Sequence, residues 1–158
     1  IVLSDPNKLR LNECSKFLEA KFVAPDDKEI KNNSFDIVAF KSVLGALKTL
    51  ENQATAISEI NRVLKPNGLL LFAENAFASP IHIYFRKRQN KFKWKYLKED
   101  ELALIIKPMK IIDIKYYGFF GTFGRTEKQK YYLGHLDNYL SFFIPKSFRY
   151  INIYVCKK

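Results

Sequence analysis

From Asn33 to Asn75 the chain reads NSFDIVAFKSVLGALKTLENQATAISEINRVLKPNGLLLFAEN, and this stretch decides the fold class. Phe35 to Phe40, FDIVAF, is a short apolar run of the kind a strand buried on both faces requires. From Leu50 onward Leu50, Ala54, Ile57, Ile60, Val63 and Leu64 recur at spacings of three and four, which predicts one apolar stripe on a helix about four turns long. Lys65-Pro66-Asn67-Gly68 then stops the helix, since proline cannot continue it and glycine accepts positive φ. LLLFAEN follows as a second buried strand. Strand, helix and strand in this order form a parallel crossover unit, so the chain is an α/β protein.

These words resemble the class I S-adenosylmethionine-dependent methyltransferases, their small-molecule branch in particular. There the corresponding segments run sFDvV, then EixRvLkPgG, then an apolar strand, and the chain matches at Ser34, Phe35, Asp36, Glu59, Ile60, Arg62, Val63, Leu64, Lys65, Pro66 and Gly68. Asn67 stands where the family has its first glycine, a replacement a turn tolerates because asparagine also visits the left-handed region. The resemblance implies a three-layer, Rossmann-like, mostly parallel sheet with an antiparallel C-terminal strand. It also implies S-adenosylmethionine as cofactor and methyl transfer to a small molecule.

In that family a glycine-rich turn after the first strand holds the cofactor. All six glycines here lie at Gly45 or beyond, and GFFGTFG at 118–124 does not stand between a strand and a helix. The expectation is therefore that the family's first strand and helix are absent from this chain, which is either a fragment of a longer protein or a degenerate relative, the fragment being the favoured reading. Ile1–Ser4 then corresponds to the second strand, with Asp5 at its carboxyl end, where the resemblance implies ribose binding. Asp5-Pro6 also reads as a helix start, and the two roles are compatible. The helix should run to about Ala20 and lead into an edge strand at Lys21–Ala24. The aspartate that takes the adenine amino group would be Asp26, with Asp27 its rival.

After Phe40 the loop Lys41-Ser42-Val43-Leu44-Gly45 should pass beneath the cofactor, so Phe40, Lys41 and Ser42 are cofactor-binding candidates by resemblance. Many small-molecule members have a histidine four residues past the serine position, where this chain has Ala46. No catalytic base is evident and the catalytic residue is unknown. Glu74, Asn75, His82 and Trp94 are the substrate-side candidates. No metal-ligand spacing exists, and Cys14 and Cys156 read as reduced thiols of a cytoplasmic protein. No run of residues reaches the length of a membrane span.

At 158 residues, 47% of them apolar, the chain reads as one methyltransferase-like domain with a sizeable core. Charge divides it. Residues 1–75 carry ten Lys and Arg against ten Asp and Glu, whereas residues 76–158 carry seventeen against six, and nineteen of the aromatics against five. The first part is the cofactor side; the second holds the specialised, substrate side. Within it Tyr84–Lys98, YFRKRQNKFKWKYLK, interleaves seven basic residues with five aromatics. An extended Phe92–Tyr96 would place three aromatics on one side and two lysines on the other. The segment reads as a lid over the substrate pocket with solvated lysines, as a surface for an anionic or lipid-linked substrate, or as a single-stranded nucleic-acid contact. A non-catalytic module that binds nucleic acid or a partner through this half is the competing function. The oligomeric state does not follow from the sequence.

Overall fold

A computed structural model of the chain describes residues 2–3, 21–22, 30–75, 80–89 and 95–158. Ile1–Lys31 and Asn32–Lys158 form two compact units. In the first, β1 (Val2–Leu3) pairs in parallel with β2 (Lys21–Phe22), the two strands expected there. Asp5, the 6–20 segment with Cys14, Asp26 and Asp27 lie outside the described residues, as does the 90–94 segment with Trp94.

The second unit contains a four-stranded sheet in the order β3 (Phe35–Lys41), β4 (Leu64–Asn75), β6 (Ile151–Lys157), β5 (Lys110–Tyr117). β3 and β4 are parallel, and β6 runs antiparallel to both β4 and β5. Three strands therefore share one direction, and the C-terminal strand is the reversed one, as expected. Helix α1 (Leu50–Val63) makes the β3–β4 crossover; Thr49 caps it by accepting from the Asn52 N–H at 3.2 Å.

The turn after α1 differs from the expected clean stop. The ladder opens at once with Phe35 opposite Leu64, and then shifts so that Ile37 lies opposite Leu69. Lys65–Gly68 is thus bulged out of a strand that already pairs, with Asn67 left-handed at φ 65°. A Cβ on Gly68 would stand 2.9 Å from the Lys65 carbonyl oxygen, which accounts for the glycine. Asp36 is structural: its carboxylate pairs with Lys65 Nζ at 2.9 Å.

One sheet face carries the core. Phe40, Phe72 and Tyr154 sit side by side in register, with ring centroids 5.0 and 4.8 Å apart. Ile57 of α1 and Leu102, Ile105 and Ile106 of α3 (Glu99–Ile106) complete the cluster with Leu44, Leu70 and Cys156. In α3 Leu104 points to solvent. Ile112, two residues before Ile114, is exposed because the β5–β6 register slips by one residue between Ile111 and Asp113. Helix α4 spans Glu127–Leu140, and the last strand begins at Ile151. Pro80–Gln89 forms α2, so the first part of Tyr84–Lys98 is helical.

Phe72 is 2% exposed and stacks on both neighbours, so Phe72→Ala should lower unfolding stability by about 3–5 kcal/mol in urea titration. A loss below about 1 kcal/mol would mean that the ring stack is not the centre of this core.

Candidate active site

The carboxyl ends of the parallel strands bring Phe40, Lys41, Ser42, Glu74 and Asn75 together at one edge of the sheet. Lys41 pairs with Ala73, and the Ser42 N–H donates to the Ala73 carbonyl at 2.8 Å as the chain leaves the strand at φ 55°. The Asn75 Nδ2 amide donates to Ser42 Oγ at 3.4 Å. Leu44–Leu47 then form a short 3-10 turn.

That turn is fixed by two buried side chains. Glu74, 5% exposed, accepts from the Val43 and Leu44 N–H groups at 2.6 and 2.7 Å through one carboxylate oxygen. Gln53 of α1, fully buried, donates its amide to the Leu44 carbonyl at 2.8 Å. Sequence reading missed Gln53, since it interrupts an apolar stripe and its partner lies nine residues back in the chain. Its spacing, one turn before Ile57, was the available signal.

Burial pushes the Glu74 carboxyl above the usual range, while N–H groups of Leu44, Val43, Gly45 and Asn75 pull it down. Glu74 lies opposite Asn152, which lies opposite Tyr116, so a polar row crosses the sheet beyond the Phe72–Tyr154–Ile114 row. Asn152 donates its amide to the Tyr154 hydroxyl at 3.0 Å, and its buried Oδ1 has no hydrogen-bond partner among the described residues. The Tyr154 hydroxyl is pushed up to about 12, chiefly by burial, and Tyr116 is raised by burial and then by its hydrogen bond to Glu99. Burial likewise pushes the Cys156 thiol up to about 11, leaving it protonated and unreactive.

His82, expected near the pocket mouth, is instead fully buried. Its Nε2 lies 2.9 Å from the Phe119 carbonyl, and Phe119, Phe123 and Tyr150 surround the ring at 4.9 to 5.6 Å. The GFFGTFG stretch beside it is a 3-10 turn whose Phe119, Phe120 and Gly121 N–H groups all donate to the Asp137 carboxylate at 2.8 to 2.9 Å. Contrary to the expectation, the stretch does stand between a strand, β5, and a helix, α4, but its amide donors are already satisfied by Asp137. Gly118 holds φ 72°, and a Cβ there would come within 2.7 Å of the Tyr150 ring.

The basic segment meets the strand-end loop at its far end. The Lys95 N–H donates to the Gly45 carbonyl at 3.0 Å, and Lys95 Nζ pairs with Glu101 at 3.2 Å. Lys95 is thus an anchored residue, unlike the solvated lysine expected of a lid. An open hollow of about 700 Å3 among the described residues is lined by Leu50, Ala54, Leu104 and Ile105 between α1 and α3. It lacks every strand-end residue, so the chemistry of the edge locates the site better than the hollow does.

A family profile described as a methyltransferase domain matches residues 3–72. The S-adenosylmethionine-dependent methyltransferase of Methanosarcina mazei is similar to this chain over 99% of it and 81% of its own length, at 14% identity and a TM-score of 0.66. That of Archaeoglobus fulgidus covers 99% of this chain and 75% of its own, at 12% identity and 0.70. The corresponding enzyme of Mesorhizobium loti aligns over 99% and 79%, at 11% identity and 0.66. The chain shares the fold of these methyltransferases, and residues 3–72 match the methyltransferase-domain profile. No curated protein matches it by sequence. The profile match over residues 3–72 and these similar structures support S-adenosylmethionine as the cofactor. No helix among the described residues is long and apolar enough to cross a membrane, and none of their His, Cys, Asp and Glu side chains form a metal-holding group.

A carboxyl whose folded value lies above its unfolded value, about 4.3, stabilises the fold below the unfolded value and loses that contribution as pH rises through the folded one. Glutamine at the same place has no such titration. The stability advantage of the methyltransferase domain over its Glu74→Gln variant should therefore be larger at acidic than at neutral pH. Urea titrations of both proteins at the two pH values check this, and a pH-independent difference would show that burial does not govern Glu74.

Proposed function

We propose that the domain transfers a methyl group from S-adenosylmethionine to a small-molecule substrate at the carboxyl edge of β3 and β4. The observation that carries this reading is the Ser42–Leu47 loop, held against the strand ends by Glu74 and Gln53 before any ligand arrives. A loop already ordered loses little freedom on binding. The residues fit such a cofactor: Phe40 offers an aromatic face, Ser42 a hydroxyl, and the edge also carries the unpartnered buried Asn152 Oδ1.

In this reading Phe40, Lys41 and Ser42 contact the cofactor, Asp5 its ribose hydroxyls and Asp26 its adenine. The sulfonium, when bound, supplies an already activated methyl group, so the chain's task is alignment and exclusion of water. Glu74 acts through the loop it holds and Asn75 through Ser42. His82, enclosed by aromatic rings, shapes the wall on the substrate side, and Trp94 closes over the substrate, which is anionic or lipid-linked. The bond between Lys95 and Gly45 supports the lid reading, because it fastens the end of the basic segment to the cofactor loop.

In the intact protein, Asp5→Ala should weaken binding of S-adenosylhomocysteine by about 1–3 kcal/mol, the cost of leaving hydroxyl partners unpaired. Isothermal calorimetry measures it. Unchanged affinity in a folded variant would remove Asp5 from the site, and no binding by the parent protein would favour the non-catalytic module.

A further inference from the structure

Helix α4 wears its aromatic stripe on the outside. Tyr131, Tyr132, Leu136 and Tyr139 recur at helical spacing and stand exposed, while Leu133 and Asp137 are partly covered. In the turn that follows, Phe142 is 90% and Phe143 77% exposed, their rings edge to face at 5.5 Å. The turn is held open by Arg149, whose guanidinium donates to the Ile144 carbonyl at 3.1 Å, to the Ser141 carbonyl, and to the Tyr116 carbonyl at 2.9 Å. The two phenylalanines are thus presented to solvent by a built scaffold. A contiguous aromatic surface of this kind marks an interaction site.

Charge identifies the partner. Residues 121–158 carry seven basic side chains and two acidic ones. Both acids are engaged, Glu127 with Lys130 at 2.6 Å and Asp137 with the Phe119–Gly121 amides. Arg125, Lys128 and Lys146 therefore flank the aromatics with no competing free carboxylate in this part of the chain. Exposed tyrosines beside lysines, with phenylalanines at a projecting turn, match the layering of a lipid surface: headgroup level for the amphipathic rings, acyl boundary for the apolar ones. The perpendicular Phe142 and Phe143 rings do not form a pair of parallel platforms for successive bases, and a fluid surface needs no shape complementarity.

We infer that the outer face of α4 and the Phe142–Phe143 turn dock the protein on an anionic phospholipid bilayer. The docking stands on its own geometry and does not depend on the methyl-transfer reading.

The test is flotation of the intact protein with phosphatidylcholine vesicles, with and without phosphatidylglycerol. The parent should float with the anionic vesicles only, and less as salt rises. Phe142→Ser with Phe143→Ser should lower the partition coefficient at least about tenfold while circular dichroism stays unchanged. Arg125→Gln with Lys128→Gln should weaken anionic binding and flatten its salt dependence. Absence of flotation, or flotation indifferent to the phenylalanine pair, would overturn the inference. So would a dimer in sedimentation velocity that the phenylalanine variant dissolves, or binding confined to single-stranded RNA, since either would give the face another occupant.

Discussion

A single buried carboxylate organises the working edge of this protein. Glu74 closes a strand whose other inward residues are apolar, and its desolvation is offset by the backbone N–H groups of the neighbouring loop. Those amides have no other partner as the chain leaves β3 for a 3-10 turn, so each side satisfies what the other leaves open. Remove the carboxylate and the turn loses its anchor; remove the turn and a charge is buried alone. The position of Phe40, Lys41 and Ser42 follows from this exchange, with Gln53 bracing the same turn from α1.

The crossover unit was legible because it depends on local chemistry. Apolar spacing set α1, and Asn67 adopts the left-handed conformation its residue type permits, although in the bulge of β4 and not in a turn that ends the helix. What sequence could not place depends on partners far along the chain. Glu74 binds amides about thirty residues earlier, Asp137 caps a turn sixteen to eighteen residues before it, and His82 is enclosed by rings from Phe119 onward. His82 and Glu74 read as open polar residues for that reason. The slip at Ile112 is of the same kind, since a bulge is set by the pairing strand and not by alternation.

The two halves divide the labour that their composition suggested. The balanced half supplies β3, α1 and β4, with the loop that resembles a cofactor cradle. The basic, aromatic half supplies β5, β6 and α4, and it spends its aromatics in two ways. Phe119, Phe123 and Tyr150 wrap His82 inside, whereas Tyr139, Phe142 and Phe143 face solvent. Net charge acts over a distance, so the excess of basic residues steers anionic partners toward this half whatever the buried edge does.

Amide hydrogen exchange with and without S-adenosylhomocysteine tests the central claim most directly, because it reads the loop residue by residue. Binding should slow exchange across residues 40–47 and at the end of β4, with the Val43 and Leu44 amides already protected in the free protein by Glu74. Fast exchange of those two amides in the free protein, or ligand binding that leaves 40–47 unchanged, would contradict the account.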